Sequence, residues 1–197
     1  MLQFQQEAVL SWPAASDAVF HIADEDKVLG FAKQRAQLFA LGSGEYVSSV
    51  DDDDKLNGSL FLQMLEHVAK TKPPFIQSKR VMIDRLGRQA GAFSDVTKAC
   101  TLREVLAGKA TVLQLAIVRR DLALDACNKA LAFLSTQDPR FIGAFDLVYY
   151  LELLKVTNCQ RYPYPVYQWR HHGLGQYNQL VRKELHEVLR IYAKCYS

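Results

Sequence analysis

Apolar positions recur at helical spacing over most of the chain. In residues 57–74, Leu60, Met64, Leu65 and Val68 fall on one face, and Pro73-Pro74 ends the run. Upstream, residues 24–41 open on Asp24 as N-cap, carry acidic residues in the first turn and stop at Gly42. Residues 75–91 form a basic amphipathic segment with Ile76, Val81, Met82, Ile83 and Leu86. Thr101 and Glu104 match a capping box, with Gly108 as a stop. From Thr111 to Ser135, Leu113, Ile117, Leu124, Cys127, Leu131 and Leu134 lie near a 3.6-residue period. Asp138-Pro139 then opens a run to Val156 that is apolar on nearly all sides, as in a helix at the centre of a bundle. The short connection predicts an antiparallel hairpin over residues 110–157 as the core. The last segment carries a stripe of Tyr177, Val181, Leu185, Val188, Leu189 and Tyr192.

Strand-like alternation is confined to "SGEYVSSV" at residues 43–50. The pattern therefore predicts an all-α fold, an irregular helical bundle of seven to eight helices. It divides into an N-terminal helical arm at 1–41, an acidic linker or loop at 42–58 and a basic helical bundle at 59–197. Within the acidic stretch, Asn57-Gly58-Ser59 reads as the turn and cap of the next helix. Residues 158–173 read as a long loop, because Pro163 and Pro165 stand two apart.

Composition narrows the class. The chain has 197 residues, 49% hydrophobic and 23% charged, which fits a folded single domain, with or without an arm. No apolar run approaches the roughly 18 residues of a membrane span. The first 20 residues hold no basic residue and include Glu7 and Asp17, unlike a secretory or transit peptide, so a soluble intracellular protein is expected. The four cysteines, Cys100, Cys127, Cys159 and Cys195, form no CxxC pair and read as reduced thiols. Charge is divided along the chain. Residues 1–66 hold 11 acidic and 4 basic residues, a net of −7, while residues 67–197 hold 10 acidic and 20 basic, a net of +10. Such a split suggests self-association of the two parts or separate partners for each.

Chemistry-bearing motifs are sparse. Four aspartates at 51–54 invite a calcium loop, but with Gly58 at position 6 of an EF-hand, Lys55 falls at position 3 and Met64 at position 12. Ser48 and Ser49 each precede an aspartate by three residues, a spacing acidophilic kinases favour. Neither GxSxG, a P-loop nor GxGxxG occurs, and adjacent His171-His172 lack the i, i+4 spacing of a helical zinc site. No catalytic residue, metal site or cofactor is expected, and the chain reads as non-catalytic. In 158–173, Arg161, Arg170, His171 and His172 alternate with Tyr162, Tyr164, Tyr167 and Trp169, the residue types that anchor protein interfaces. The sequence thus predicts a subunit or adaptor of a larger assembly that binds a protein partner through this loop. The alternative is an RNA-binding protein using 70–88 and 158–183, with Lys72, Lys79, Arg80, Arg85, Arg88, Arg182 and Lys183 meeting phosphates.

Overall fold

The computed structural model describes residues 28–41, 43–51, 53–92, 100–112, 115–171 and 179–196. The expected Asp24 cap and the first 27 residues of the expected N-terminal arm lie outside them. The chain begins with α1 (Val28–Leu41), then β1 (Tyr46–Ser48) and β2 (Lys55–Leu56) flank the aspartates. Helix α2 (Gly58–Thr71) leads into β3 (Phe75–Ile83) and β4 (Gln89–Ala92). A short α3 (Leu102–Leu106) precedes β5 (Ala116–Arg119) and α4 (Arg120–Ser135). A 3-10 helix (Pro139–Ala144) runs into α5 (Phe145–Val156), followed by β6 (Gln160–Arg170) and α6 (Gln179–Tyr196).

The fold is mixed α/β, which corrects the all-α bundle. A six-stranded sheet runs in the order β1-β5-β3-β6-β2, with β4 pairing β3 off that path. Central β3 lies parallel to β6 and antiparallel to β5 and β4. Successive residues alternate between two cores. Phe75, Ala116 and Val118 pack with α4, α5 and α6, whereas Ile76, Leu115 and Ile117 pack with Phe61, Met64 and Val68 of α2. A strand covered on both faces carries apolar side chains at consecutive positions and loses the period-2 signature of a half-exposed strand. That is why β3 read as an amphipathic segment and β5 merged with the following helix.

Strand β6 replaces the expected loop. Its pairing with β3 steps from Ser78↔Tyr162 to Lys79↔Pro165 and then to Arg80↔Tyr167. Both prolines fall at these shifts in register, where a missing N–H is tolerated. Helical signals fared better. Asn57 accepts the Leu60 amide at 3.2 Å to cap α2, and Thr101 and Glu104 close the expected capping box. Helices α4 and α5 pack together as the core hairpin, and α6 buries Val188 and Tyr192. Cys100, Cys127 and Cys159 are buried thiols, and Cys195 is exposed. Among the described residues, no helix is long and apolar enough to cross a membrane.

The sheet's helix-rich face is held by aromatic packing. Phe75 is fully buried and stacks on Tyr150 with ring centroids 6.0 Å apart and planes 1° from parallel. Phe75→Ala should cost about 3–5 kcal/mol, from lost transfer energy plus the cavity left behind. Urea unfolding followed by far-UV circular dichroism checks this.

Candidate active site

The aspartates follow β1, an edge strand whose Val47 pairs with Val118. Ser48 secures that edge by donating to the Ala116 carbonyl at 2.7 Å. From there the chain turns back within six residues, and the Asp54 amide bonds the Asp51 carbonyl at 3.2 Å. Asp54 points inward and is 1% exposed. Its Oδ1 accepts the Arg170 amide at 2.6 Å, and its Oδ2 accepts the Tyr167 hydroxyl. The Tyr167 oxygen in turn faces the Asp51 amide at 3.4 Å. Arg170, 2% exposed, donates Nε to the Asp53 carbonyl at 2.8 Å and a terminal nitrogen to the Arg85 carbonyl at 3.0 Å. One tyrosine and one arginine of β6 therefore bind the aspartate loop to the sheet and to the β3–β4 turn.

A second charged group lies alongside. Arg35 of α1, 4% exposed, forms an ion pair with Asp146 at the start of α5, whose side chain is 42% exposed. Its guanidinium also sits 5.9 Å from the Phe145 ring. Burial alone would depress the Arg35 guanidinium, but the Asp146 carboxylate, with help from Asp51, holds it above its ordinary value. Asp51 belongs electrostatically to both groups. Burial first, then repulsion from Asp54, Asp146 and Asp53, pushes its carboxyl up to about 8, against the opposing pull of Arg35. Burial raises Asp54 to about 6, and its bonds from Arg170 and Tyr167 restrain the shift. Carboxyl groups driven this far from their ordinary range are typical of functional clusters.

Among the described residues, no group of three or more His, Cys, Asp or Glu is assembled to hold a metal ion. The carboxylates of Asp51 and Asp53 would suit a cation that brings part of its own coordination shell. Magnesium-type ions use one or two protein carboxylates and complete the shell with phosphate and water oxygens.

Other expected site residues are distributed differently. Tyr162 and Tyr167 are buried in the α2-side core, and Arg170 is interior. Arg161 bonds the Gln77 side chain and the Thr111 carbonyl. Trp169 is half-buried beneath Arg80, 5.4 Å from its ring centroid, while Tyr164 and His171 are exposed. His172 lies outside the described residues. Lys72 caps α2 in a left-handed conformation, Lys79 lies on β3, and Arg85 and Arg88 occupy the turn beyond it. Arg182 and Lys183 sit on α6, and their side chains are outside the described set. The basic residues of 70–88 thus span a helix end, a strand and a turn. Arg35 and Asp146 carried no sequence signal. For the aspartates there was one: they directly follow the sole strand-like segment, and ligands of α/β sheets gather beyond the carboxyl ends of strands.

No protein-family model matches the sequence, and no curated relative does. Solved structures do. The chain is similar to S. aureus TarS residues 1–349 in complex with UDP-GlcNAc, with a TM-score of 0.52 and 16% identity, over 81% of this chain and 45% of that one. It is also similar to the TarS complex with UDP, with a TM-score of 0.52 and 18% identity, over 75% of this chain and 42% of that one. The chain thus spans less than half the length of these neighbours. TarS is a glycosyltransferase, and the likeness to it is one of fold. It overturns the expectation of a non-catalytic helical adaptor, which was built on an all-helical bundle with 158–173 as an open loop.

The raised carboxyl groups set a pH dependence of stability. Between about pH 4 and 6 the folded chain keeps a proton on Asp54 that the unfolded chain has released, and for Asp51 the window extends to about pH 8. The folded state binds the extra proton, so stability falls as pH rises through this window. Asp51→Asn removes the ionisation and should raise stability at pH 8 by on the order of 1 kcal/mol, with little change at pH 5. Urea midpoints at the two pH values check it.

Proposed function

We propose that this chain is part of a nucleotide-sugar-dependent glycosyltransferase, with the aspartate loop as its diphosphate-facing element. One observation carries the reading: a buried Asp54 anchors a tight loop that sets Asp51 beside Asp146 and Asp53, at the end of a strand, in a fold similar to a UDP-GlcNAc complex. A residue that binds a ligand needs its backbone fixed by groups that do not themselves bind it. Tyr167 and Arg170 supply that fixation here.

Asp51 and Asp53 would hold a divalent cation shared with the nucleotide diphosphate, whose charge offsets the negative charge gathering on the leaving phosphate. The high proton affinity of Asp51 fits this role, because a carboxyl group held protonated by its neighbours ionises when a positive charge arrives. Asp146 is the half-exposed carboxylate of the cluster. In the proposed role it accepts the proton of an acceptor hydroxyl as that oxygen attacks the sugar, a contribution of about 10²- to 10⁴-fold. Arg35, buried beneath it, keeps Asp146 oriented.

Manganese with UDP tests the reading. Paramagnetic broadening of amide signals should centre on residues 51–56 and strengthen when UDP is added. Asp53→Asn should weaken the UDP-dependent part at least about tenfold, as expected on losing one of two anionic ligands. Broadening that ignores UDP, or that centres elsewhere, contradicts the proposal.

A further inference from the structure

At the far end of β6 from the aspartate loop, an open groove of about 330 Å³ lies between α2 and the start of the strand. Gln63, Glu66, His67 and Lys70 form one wall, at helical spacing on α2, and Tyr162 and Tyr164 form the other. The aromatic rings are ordered against each other. His67 and Tyr162 have centroids 5.6 Å apart, and Tyr164 meets Tyr162 edge-on at 5.5 Å. Tyr162 is buried and braces the floor, whereas Tyr164 is 51% exposed and offers a ring to solvent. Pro163 between them fixes the backbone where the strand shifts register.

The charges limit what could bind. Arg161 also lines the groove, but its guanidinium bonds the Gln77 side chain and the Thr111 carbonyl and sits beside Cys100 and Cys159, so its charge is committed to the interior. Glu66 and Lys70 then oppose each other across one helical turn, leaving the wall close to neutral. Phosphate recognition calls for several converging cations, and this wall supplies a single lysine. What it does supply is hydrogen-bond donors and acceptors in alternation, next to an exposed aromatic ring of fixed orientation. That combination fits a ring with an apolar C–H face and a rim of hydroxyl groups. Its size is that of a small ligand site.

We propose that this groove is a binding subsite for an uncharged saccharide, stacked on Tyr164 with its hydroxyl groups on Gln63, Glu66 and Lys70. Sugar binding here does not depend on the glycosyltransferase reading. Its use as a rest for an acceptor glycan, away from the point of transfer, does, and remote contacts of that kind serve to position the reacting end.

The test is a titration of the ¹⁵N-labelled protein with the neutral trisaccharide of N-acetylglucosamine and, separately, with glucose 6-phosphate. The trisaccharide should cause saturable shifts at Gln63, His67, Lys70 and Tyr164, with a dissociation constant on the order of 1 mM. Tyr164→Ala should weaken it at least about tenfold, while Tyr164→Phe, which keeps the ring face, should stay within about twofold. The absence of saturable shifts, shifts centred elsewhere, an unaffected Tyr164→Ala variant, or tighter binding of glucose 6-phosphate would each overturn the proposal. UDP-dependent broadening at residues 51–56 should persist in Tyr164→Ala, so the groove and the aspartate loop are judged separately.

Discussion

The aspartate loop has its shape because the Asp54 carboxylate is turned into the protein. Asp54 is as buried as a core residue, and water cannot solvate its charge. The Arg170 amide and the Tyr167 hydroxyl replace that solvation. Both donors sit on β6 within four residues of each other, so the loop can close only where that strand is already in register with β3. The sheet and the loop therefore depend on each other. Arg170 extends the dependence by bonding the Asp53 carbonyl and the β3–β4 turn with the same side chain.

This arrangement separates support from display. Asp54, Tyr167 and Arg170 satisfy one another inside, while Asp51, near Asp146 and Arg35, and Asp53 remain half-buried. The raised affinity of Asp51 for a proton expresses its burial and the repulsion from Asp54, Asp146 and Asp53, which Arg35 offsets only in part. Strain of this type is characteristic of sites that complete their charge balance with a ligand.

Legibility in the sequence followed the range of the interactions. Caps made by residues three apart, Asn57 with Leu60 and Thr101 with Glu104, were readable, as were the faces of α2, α5 and α6. Strands β3 and β5 were not, because neighbouring apolar residues enter two different cores, and in β3 the polar residues Gln77 to Arg80 stand together instead of alternating. In β6, two prolines that argue against a strand sit at irregularities of the ladder. The aspartates stood out by composition, yet comparison with a single calcium loop discarded them. Their meaning comes from contacts 111 to 117 positions away in sequence, Arg35 to Asp146, Asp54 to Tyr167 and Arg170, and Asp53 to Arg170, which no local pattern encodes.

The account depends on Asp54 being a buried carboxyl group held by β6, and its titration reads that state directly. Carbon-13 detection of the side-chain carboxyl across an acid-to-neutral series follows the Asp54 proton itself. The structure predicts a midpoint near 6, well above the ordinary value of 3.8, moving when Tyr167 is replaced by Phe. A midpoint close to 3.8, unchanged in that variant, would mean that Asp54 lies in water and that the loop is not anchored as described.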